Sequence, residues 1–592
     1  GIILRMTFDS REHITGLLQV ALASVAPEHT ETPIHLERPK QASHGDFATN
    51  LPMQLARALK QAPRAIAERI VSALPASPLV SEVSIAGAGF INFALQADAK
   101  TRVVNTVLTQ AGDFGRSTLG QNAKVLVEFV SANPTGPLHV GHGRGAAYGA
   151  SLSDLLAFAG WDVTREYYVN DAGRQMDILA ISTWIRYLDQ HGVSIDYPPN
   201  GYQGDYVRDM ARQLTNAHGD KYVRSHVAVL EGTPGLPDAS RGDDEAKTQR
   251  ELHLDALIAN GKKLLAEDWP YVHQHALSEQ LADGRDDLDG FGVDFQNWFS
   301  ENSLFDTGLV ARCLEKLDAA GHIYEQNGAR WFRSTDFGDE KDRVVQRDNG
   351  LYTYFASDIA YHLNKYERGF DRMINIWGAD HHGYIPRVKG AVQALALDPA
   401  KLDIALVQFA VLYRNGEKAS MSTRSGDYVT LRSLRAEVGD DACRFFYVLR
   451  KADQHLDFDL DLAKSQSADN PVYYIQYAHA RICSLMAQWN GAEADLKDAD
   501  LALLTNPREA ALTAFLGRFP EVIDSAARDL APHQVAFYLR DLAAEFHGYY
   551  NAERMLLDDA ELTCARLALS VAVRQVIRNG MTLLGVSCPE SM

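Results

Sequence analysis

The chain has 592 residues and a formal net charge of −19, and 46% of its residues are hydrophobic. Domains usually run to about 100–200 residues, so several are expected, and no apolar run approaches the roughly 18 residues of a membrane span. The negative charge argues against nonspecific nucleic-acid binding but leaves a specific RNA partner open, because net charge does not fix the sign of a local groove.

The first region, residues 1–115, mixes helical and strand patterns. Apolar residues between Ile14 and Ala21 recur at helical spacing, and the segments 83–86 and 89–93 alternate like strands. These patterns predict a small N-terminal α+β domain.

Residues 116–465 have the pattern of a parallel sheet. The apolar run 125–130 predicts a strand buried on both faces, residues 146–159 have a helical apolar face, and residues 163–169 form the next predicted strand. Strand, glycine-rich loop, helix and strand make a βαβ unit, so we predict a Rossmann-type parallel-sheet domain. The polar segment of about residues 190–290 predicts an insertion in that domain.

Helical patterns dominate residues 466–592 and predict an α-helical bundle. The predicted fold class is therefore multidomain α/β, with an N-terminal α+β domain, the parallel-sheet domain with its insertion, and the C-terminal bundle. No internal repeat or low-complexity tract interrupts this order.

The cysteines are dispersed along the chain. They are Cys313, Cys443, Cys483, Cys564 and Cys588. None shows C-x-x-C spacing, so neither a zinc site nor a disulfide framework is predicted. The first residues also lack the pattern of a secretory signal. Both observations favour a cytoplasmic protein without bound zinc.

The loop after the first buried strand holds His139 and His142, with Gly141 between them. A helix N-terminus suits phosphate groups because it offers free N–H groups and the positive end of the dipole, and histidines there can donate hydrogen bonds to phosphate oxygens. Gly141 lets an adenine ring lie against the backbone, since it has no side chain. An incidental glycine turn and a zinc-binding pair are the alternatives, although no further zinc ligands lie nearby.

This loop resembles the HIGH motif of class I aminoacyl-tRNA synthetases, and the longer string that begins at Glu128 is similar to that of the arginyl-tRNA synthetases. The HIGH-like region comprises Ala132, Asn133, Pro134, Thr135, Gly136, Pro137, Leu138, His139, Val140, Gly141 and His142. Similar strings follow in the family's order at residues 354–358, 377–384, 421–424 and 470–481. Several strings in one order are more specific than any single one.

The resemblance implies an enzyme that activates L-arginine with ATP and transfers arginine to its tRNA. It also implies Mg²⁺ at the ATP phosphates and a monomeric protein. The attacking arginine carboxylate is ionised at neutral pH, so no protein base is needed, and catalysis reduces to positioning and to stabilising phosphate charge. His139 and His142 are the candidate phosphate donors.

Arginine recognition needs fixed carboxylates, because a guanidinium pairs with a carboxylate through two parallel hydrogen bonds. The candidate arginine-binding residues are Glu128, Asn133, His142, Tyr354, Asp358 and His382. By resemblance, Glu128 and Asn133 contact the backbone end of arginine, whereas Tyr354 and Asp358 reach its guanidinium. The alternatives are an ordinary ion pair between Glu128 and an arginine of the protein, and a helix-capping role for Asp358.

The second motif of the family departs from its usual form, KMSKS. Both lysine positions differ in the string 420–424, so Lys418 and Arg424 become the candidate catalytic cations. Gly136 stands where some arginyl enzymes that lack the loop lysine carry a substitute. The candidate ATP-binding residues are His139, Gly141, His142, Gly378, Asp380 and Met421, and an acid just past a strand end can bind a ribose hydroxyl.

The C-terminal region resembles the anticodon-binding domain of arginyl enzymes. Splayed bases are read by stacking and by edge hydrogen bonds, so Tyr473, Tyr477 and Met592 are the candidate tRNA-binding residues, with Tyr474 and His479 as further contributors. The alternative is that these aromatic residues form a helix core. The N-terminal domain resembles the family's extra domain, which contacts the outer corner of the tRNA.

Three other functions compete with this interpretation. Another class I synthetase, such as one for cysteine, would need zinc ligands that are missing here. An H-x-G-H nucleotidylyltransferase is generally a small single domain and would leave the C-terminal helices unexplained. A non-catalytic RNA-binding paralogue stays open because of the altered second motif.

Overall fold

The computed structural model describes residues 10–422 and 428–592. They form an N-terminal α+β domain, a parallel-sheet domain with inserted helices, and a C-terminal helical bundle, which confirms the predicted fold class. Within these described ranges, no helix combines the length and the apolar character needed to cross a membrane.

The N-terminal domain combines helices with an antiparallel sheet. Its elements are α1 (Ser10–Val25), β1 (Leu36–Glu37), β2 (Phe47–Thr49), α2 (Leu51–Leu59), α3 (Pro63–Ala73), β3 (Val80–Ala86), β4 (Phe90–Leu95) and α4 (Ala97–Gln110). The strand order is β1-β2-β4-β3. Ile14, Phe47 and Phe93 belong to a buried apolar cluster of this domain's own, so it has a core separate from that of the central sheet.

The central domain begins with three strands of the main sheet and the inserted helices. These elements are β5 (Lys124–Glu128), α5 (Gly143–Phe158), β6 (Asp162–Val169), α6 (Arg174–Gln190), α7 (Asp205–His218), α8 (His226–Val229), α9 (Asp244–Leu265), α10 (Trp269–Gly290) and β7 (Asn297–Ser300). Strand β5 ends two residues earlier than predicted, and the left-handed φ angles of Val130 (67°) and Ser131 (45°) exclude an extended strand there. Helix α5 begins at Gly143, before the predicted residue 146, because the histidine turn leads directly into it.

The rest of the central domain returns the chain to the other side of β5. Its elements are α11 (Asn302–Asp306), α12 (Leu309–Ala319), β8 (Ile323–Gln326), β9 (Ala329–Phe332), β10 (Arg343–Gln346), α13 (Tyr354–Glu367), β11 (Arg372–Gly378), α14 (Ile385–Ala394), β12 (Leu402–Val407), β13 (Ala410–Arg414), β14 (Glu417–Lys418), α15 (Leu431–Val438), α16 (Asp440–Tyr447), β15 (Leu456–Asp459) and α17 (Leu460–Lys464). The main sheet is parallel throughout, in the order β12-β11-β5-β6-β7.

The strand order reverses between β5 and β11. The chain leaves β5 toward β6 on one side, while β11 lies on the other, with Asn375 in register with Glu128. The carboxyl ends of two such strands open a crevice, which is where open α/β sheets bind their ligands. The histidine loop after β5 and the turn after β11 both lie at this crevice.

The C-terminal bundle consists of five helices. They are α18 (Pro471–Gln488), α19 (Pro507–Gly517), α20 (Phe519–Asp529), α21 (His533–Ala552) and α22 (Ala560–Leu584). Helices α20 and α22 contact α5, which also packs on the sheet, so the helix that follows the histidine turn is enclosed by two domains.

Candidate active site

A 3-10 turn at Val140–His142 joins the loop after β5 to α5. The backbone N–H of Gly141 donates to Nδ1 of His139 (3.1 Å), and the N–H of His139 donates to Nδ1 of His142 (3.2 Å). Because Nδ1 is an acceptor in both rings, each neutral imidazole carries its proton on Nε2. The turn therefore presents two Nε2–H donors.

Both imidazoles favour the neutral form. Burial lowers the pKa of His139, and burial together with the adjacent His139 lowers the pKa of His142 to about 3. The ring centroids lie only 3.9 Å apart, so two charged rings would repel each other. These histidines can donate to phosphate oxygens but supply no positive charge at neutral pH.

Gly141 is required by close packing within the turn itself. A Cβ at this position would lie 2.8 Å from Cε1 of the His139 ring, closer than carbon atoms approach. A side chain here would displace His139, in addition to filling the space that the sequence predicts for adenine.

The second motif packs against the first. Val429 accepts a hydrogen bond from the N–H of Val140 (3.0 Å) and donates its own N–H to the carbonyl of Met421 (2.9 Å). The ring of Tyr428 stacks on His139 with the centroids 4.7 Å apart. The predicted ATP-binding residue Met421 is thus linked to the histidine turn through Val429.

The acid at the end of β5 already has a cation. Nζ of Lys365, on α13, donates to Oε1 of Glu128 (2.7 Å), and the hydroxyl of Ser131 donates to Oε2 (2.9 Å). The left-handed backbone at Val130 and Ser131 turns the chain back so that this hydroxyl reaches Glu128. Glu128 therefore forms an ion pair within the protein, with a lysine rather than with the arginine that was considered.

Asp358, on α13, has no such partner. Its Oδ2 accepts a hydrogen bond from the hydroxyl of Tyr384 (2.7 Å), and in the described part of the chain no Lys or Arg forms an ion pair with it. Thr353 caps α13, which excludes the capping role for Asp358. Desolvation raises the pKa of Asp358 to about 6, with Glu128 adding to the rise and with the Tyr384 hydrogen bond and the charge of Lys365 opposing it. A desolvated acid without a cation is suited to a cationic ligand.

A third carboxylate, Glu301, lies near the first two. Its side chain is 3% exposed and accepts a hydrogen bond from the hydroxyl of Tyr168 (2.5 Å). Burial raises the pKa of Glu301 to about 7, and the negative charges of Asp358 and Asp171 contribute. Glu301 and Asp358 are thus neighbouring desolvated acids, and neither forms an ion pair among the described residues, so this end of the crevice favours a cation.

The remaining predicted residues of the crevice lie at its mouth. Tyr354 is 61% exposed, with its hydroxyl 3.4 Å from Oε1 of Gln175. Asn133 is exposed after β5, while Asp380 and His382 are exposed in the turn that follows Gly378. Lys418 is exposed on β14, and the predicted cation Arg424 lies outside the described residues.

Sequence reasoning missed Lys365 and Glu301. Lys365 lies seven residues after Asp358 on α13, the spacing that places two side chains on one helix face, so the pattern contained a usable signal. Glu301 follows the short strand β7, whose aromatic and polar residues give no such signal.

The predicted tRNA-binding tyrosines lie on α18. The rings of Tyr473 and Tyr477 are stacked with an interplanar angle of 6°, and the guanidinium of Arg481 lies 4.7 Å from the Tyr477 ring. Met592 is 51% exposed and lines a cavity of about 430 Å³ together with Tyr473. His479 is fully buried, with Arg578 donating to its Nε2 (2.7 Å), which favours the helix-core alternative for this residue.

Comparison with protein families covers most of the chain. The profile described as arginyl tRNA synthetase N terminal domain matches residues 12–95. The profile for tRNA synthetases class I (R), catalytic domain, matches residues 103–228 and 244–463, and the DALR anticodon binding domain matches residues 475–592.

Relatives named arginine–tRNA ligase match over the full length. The protein from Dechloromonas aromatica is 73% identical over 99% of this chain and 100% of its own length. The protein from Azoarcus sp. is 70% identical, with the same coverage of both chains.

Solved structures show the same fold. A Campylobacter jejuni protein described as an arginyl-tRNA synthetase has a TM-score of 0.72 at 32% identity, covering 83% of this chain and 99% of its own. Thermus thermophilus arginyl-tRNA synthetase also has a TM-score of 0.72, at 24% identity, over 98% of this chain and 100% of its own. The full-length relatives, the three domain matches and the common fold agree: this chain belongs to the arginyl-tRNA synthetases.

Proposed function

We propose that the chain activates L-arginine with ATP to arginyl-adenylate and transfers arginine to the 3′-terminal adenosine of its tRNA. The observation that carries this proposal is the desolvated Asp358 carboxylate beside Glu128 and Glu301, which forms no ion pair among the described residues and lies in the crevice next to the histidine turn. A guanidinium offers paired donors and a permanent charge to such an acid. A neutral amino acid would leave the acid buried without a cation.

In the activation step, the arginine carboxylate attacks the α-phosphate of ATP and pyrophosphate leaves. His139 and His142 donate Nε2–H hydrogen bonds to phosphate oxygens as negative charge shifts toward the leaving group. The carboxylate is already ionised, so the protein contributes alignment of the two reactants rather than a base.

Positive charge at the phosphates has to come from other groups than the histidines. Lys418 and Arg424 are the proposed cations of the second motif. Mg²⁺ binds phosphate oxygens while keeping most of its water, and the described residues contain no cluster of three or more potential metal ligands. We therefore expect Mg²⁺ to be bound by the ATP phosphates rather than by a set of protein ligands, and to neutralise part of the phosphate charge.

The other predicted contacts follow from position. We assign Gly378, Asp380 and Met421, at the ends of β11 and of the second motif, to ATP. Asn133 and Tyr354 are proposed to contact arginine from the mouth of the crevice. For His382 the same role is proposed, because its turn ends at Tyr384, the partner of Asp358.

The tRNA is proposed to reach the C-terminal bundle through Tyr473, Tyr477 and Met592. Stacked, partly exposed tyrosines beside an arginine suit unpaired bases, since base stacking and cation–π contacts are both available. We further propose a cytoplasmic monomer whose domains divide near residues 115 and 465.

ATP–pyrophosphate exchange with each amino acid, with and without tRNA, tests the proposed function. Among the amino acids, exchange is expected with arginine and in the presence of the arginine tRNA, and charging is expected only of that tRNA. If lysine supported exchange as well as arginine does, or if a bound arginine side chain lay far from Asp358, the proposal would be wrong.

A further inference from the structure

The ammonium group of Lys365 lies beneath the arginine end of the crevice, and each of its N–H donors has an acceptor or an aromatic ring opposite it. It is 1% exposed, it donates to Oε1 of Glu128 and to Oδ1 of Asn375, both at 2.7 Å, and it lies 4.4 Å from the centre of the Tyr361 ring. An ammonium has three N–H donors and no acceptor, so these contacts use its full capacity. Glu128 is thereby held against β11 in one orientation.

The contact with Asn375 fixes which groups donate and which accept along a chain of hydrogen bonds. Because Oδ1 of Asn375 accepts from Lys365, its Nδ2 donates to Nε2 of His362 (2.8 Å). The remaining proton of His362 is then on Nδ1, which donates to the backbone carbonyl of Asp358 (2.7 Å). Burial lowers the pKa of His362 to about 3, in agreement with a neutral ring. The chain runs from Glu128 at one strand end to the backbone that carries Asp358.

The position of Lys365 gives Glu128 and Asp358 different roles. Glu128 is in direct contact with Lys365, whereas Asp358 accepts the Tyr384 hydroxyl and feels the Lys365 charge without forming an ion pair with it. An arginine ligand carries one ammonium and one guanidinium, and it must enter in a single direction to present its carboxylate to ATP. An acid already neutralised binds the incoming cation more weakly than an uncompensated acid of similar burial. The guanidinium is therefore directed to Asp358.

We infer that Lys365 is a positioning residue for arginine: it fixes Glu128 directly, fixes the backbone at Asp358 through Asn375 and His362, and leaves Asp358 as the acid that attracts the guanidinium. This inference rests on the proposed function, and it predicts that loss of Lys365 affects arginine and not ATP. Because Lys365 is 1% exposed, the inferred role is exerted through Glu128 and Asn375.

The test is steady-state pyrophosphate exchange by the full-length Lys365→Met variant in the presence of the arginine tRNA, with ATP and arginine varied separately. The expected result is a KM for arginine at least tenfold higher, with the KM for ATP within about twofold of the original. The matched control is Lys389→Met, which removes a lysine that donates to the carbonyls of Pro399 and Leu402 away from the crevice. It should leave both KM values within about twofold.

Equal increases in both KM values for Lys365→Met, or no increase in either, would overturn the inference. If Lys365→Met does not yield folded protein, Asn375→Ala takes its place, because it cuts the chain to His362 and keeps the Glu128–Lys365 pair. That variant is expected to raise the arginine KM about three- to tenfold and to leave the ATP KM unchanged, and a parallel rise in both would also reject the inference. A wild-type protein that fails to activate arginine in the presence of its tRNA would instead refute the proposed function.

Discussion

The arginine end of the crevice and its phosphate end differ in how they use charge. At the arginine end, Lys365 pairs with Glu128, whereas Asp358 and Glu301 are desolvated and form no ion pair in the described part of the chain. At the phosphate end, two histidines are held neutral by burial and by each other. The first end offers net negative charge, and the second offers hydrogen-bond donors without charge.

This difference matches the two ligands. The guanidinium keeps its charge throughout the reaction, so a fixed negative site can bind it before and after the chemical step. The phosphate charge redistributes during attack, and preorganised donors stabilise that change without having to reorganise. Damage to the arginine end should therefore appear in the arginine KM, whereas damage to the histidine turn should appear in kcat.

The largest effect is expected for His139→Ala. Loss of one preorganised donor to a developing charge costs about 10²–10³-fold in kcat, so pyrophosphate exchange should slow by that factor while the arginine KM stays within about threefold. His455→Ala is the control, because that exposed histidine is paired with Asp457 on the β15 side. A large rise in the arginine KM with kcat unchanged would remove the distinction between the two ends.

A smaller but selective effect is expected for Asp358→Asn. Removing one partner of a desolvated charge pair costs about 2 kcal/mol or more, so the arginine KM should rise by at least about thirtyfold, with the ATP KM nearly constant. Asp403→Asn is the matched control, since Asp403 pairs with Arg372 at the start of β11, away from the crevice. Normal arginine KM in Asp358→Asn would show that the guanidinium is bound elsewhere.

Local sequence patterns predict much of this site. The buried strand, the glycine-rich loop and the helix around His139 and His142 are contiguous, so their order predicts a βαβ unit and a phosphate-binding turn. Tyr354 and Asp358 share a helix because they are four residues apart. The helical period also explains the burial of His479. This residue lies two positions after Tyr477, so its side chain points about 200° away around α18, into the bundle.

Contacts between distant segments are what the sequence leaves open. Lys365 and Glu128 are 237 residues apart, and no local pattern selects that lysine over an arginine as the partner. The left-handed backbone at Val130 and Ser131 was equally hidden, because a continuous apolar run favours an extended strand. Tertiary packing decided both, and both determine the orientation of Glu128.

The arginine KM is expected to rise about tenfold as the pH falls from 7 to 5. Asp358 binds the guanidinium as a carboxylate, and with a pKa raised to about 6 its ionised fraction falls from about nine-tenths at pH 7 to about one-tenth at pH 5. The KM should rise as the pH falls through this range. Both histidines have lowered pKa values, so kcat should not follow the same curve. Persistence of the full acidic rise in Asp358→Asn would assign it to another group, such as Glu301.

The smallest effect is expected for Tyr384→Phe, which removes one hydrogen bond at the arginine end. The Tyr384 hydroxyl donates to Oδ2 of Asp358 (2.7 Å) and so lowers the pKa of that carboxyl against the desolvation that raises it. Tyr384→Phe keeps the ring contact with Trp377, at 5.7 Å between centroids, and removes only the donor.

Without that donor the pKa of Asp358 should rise further, and the acidic rise in the arginine KM should begin at higher pH by about half to one unit, since one hydrogen bond is worth about 1 kcal/mol. Tyr366→Phe removes a comparable hydroxyl, one that donates to the carbonyl of Asp398, and should leave the curve in place. A curve that moves to lower pH in Tyr384→Phe would mean that the hydroxyl stabilises the protonated acid, and Asp358 would then not be the charge that the guanidinium meets.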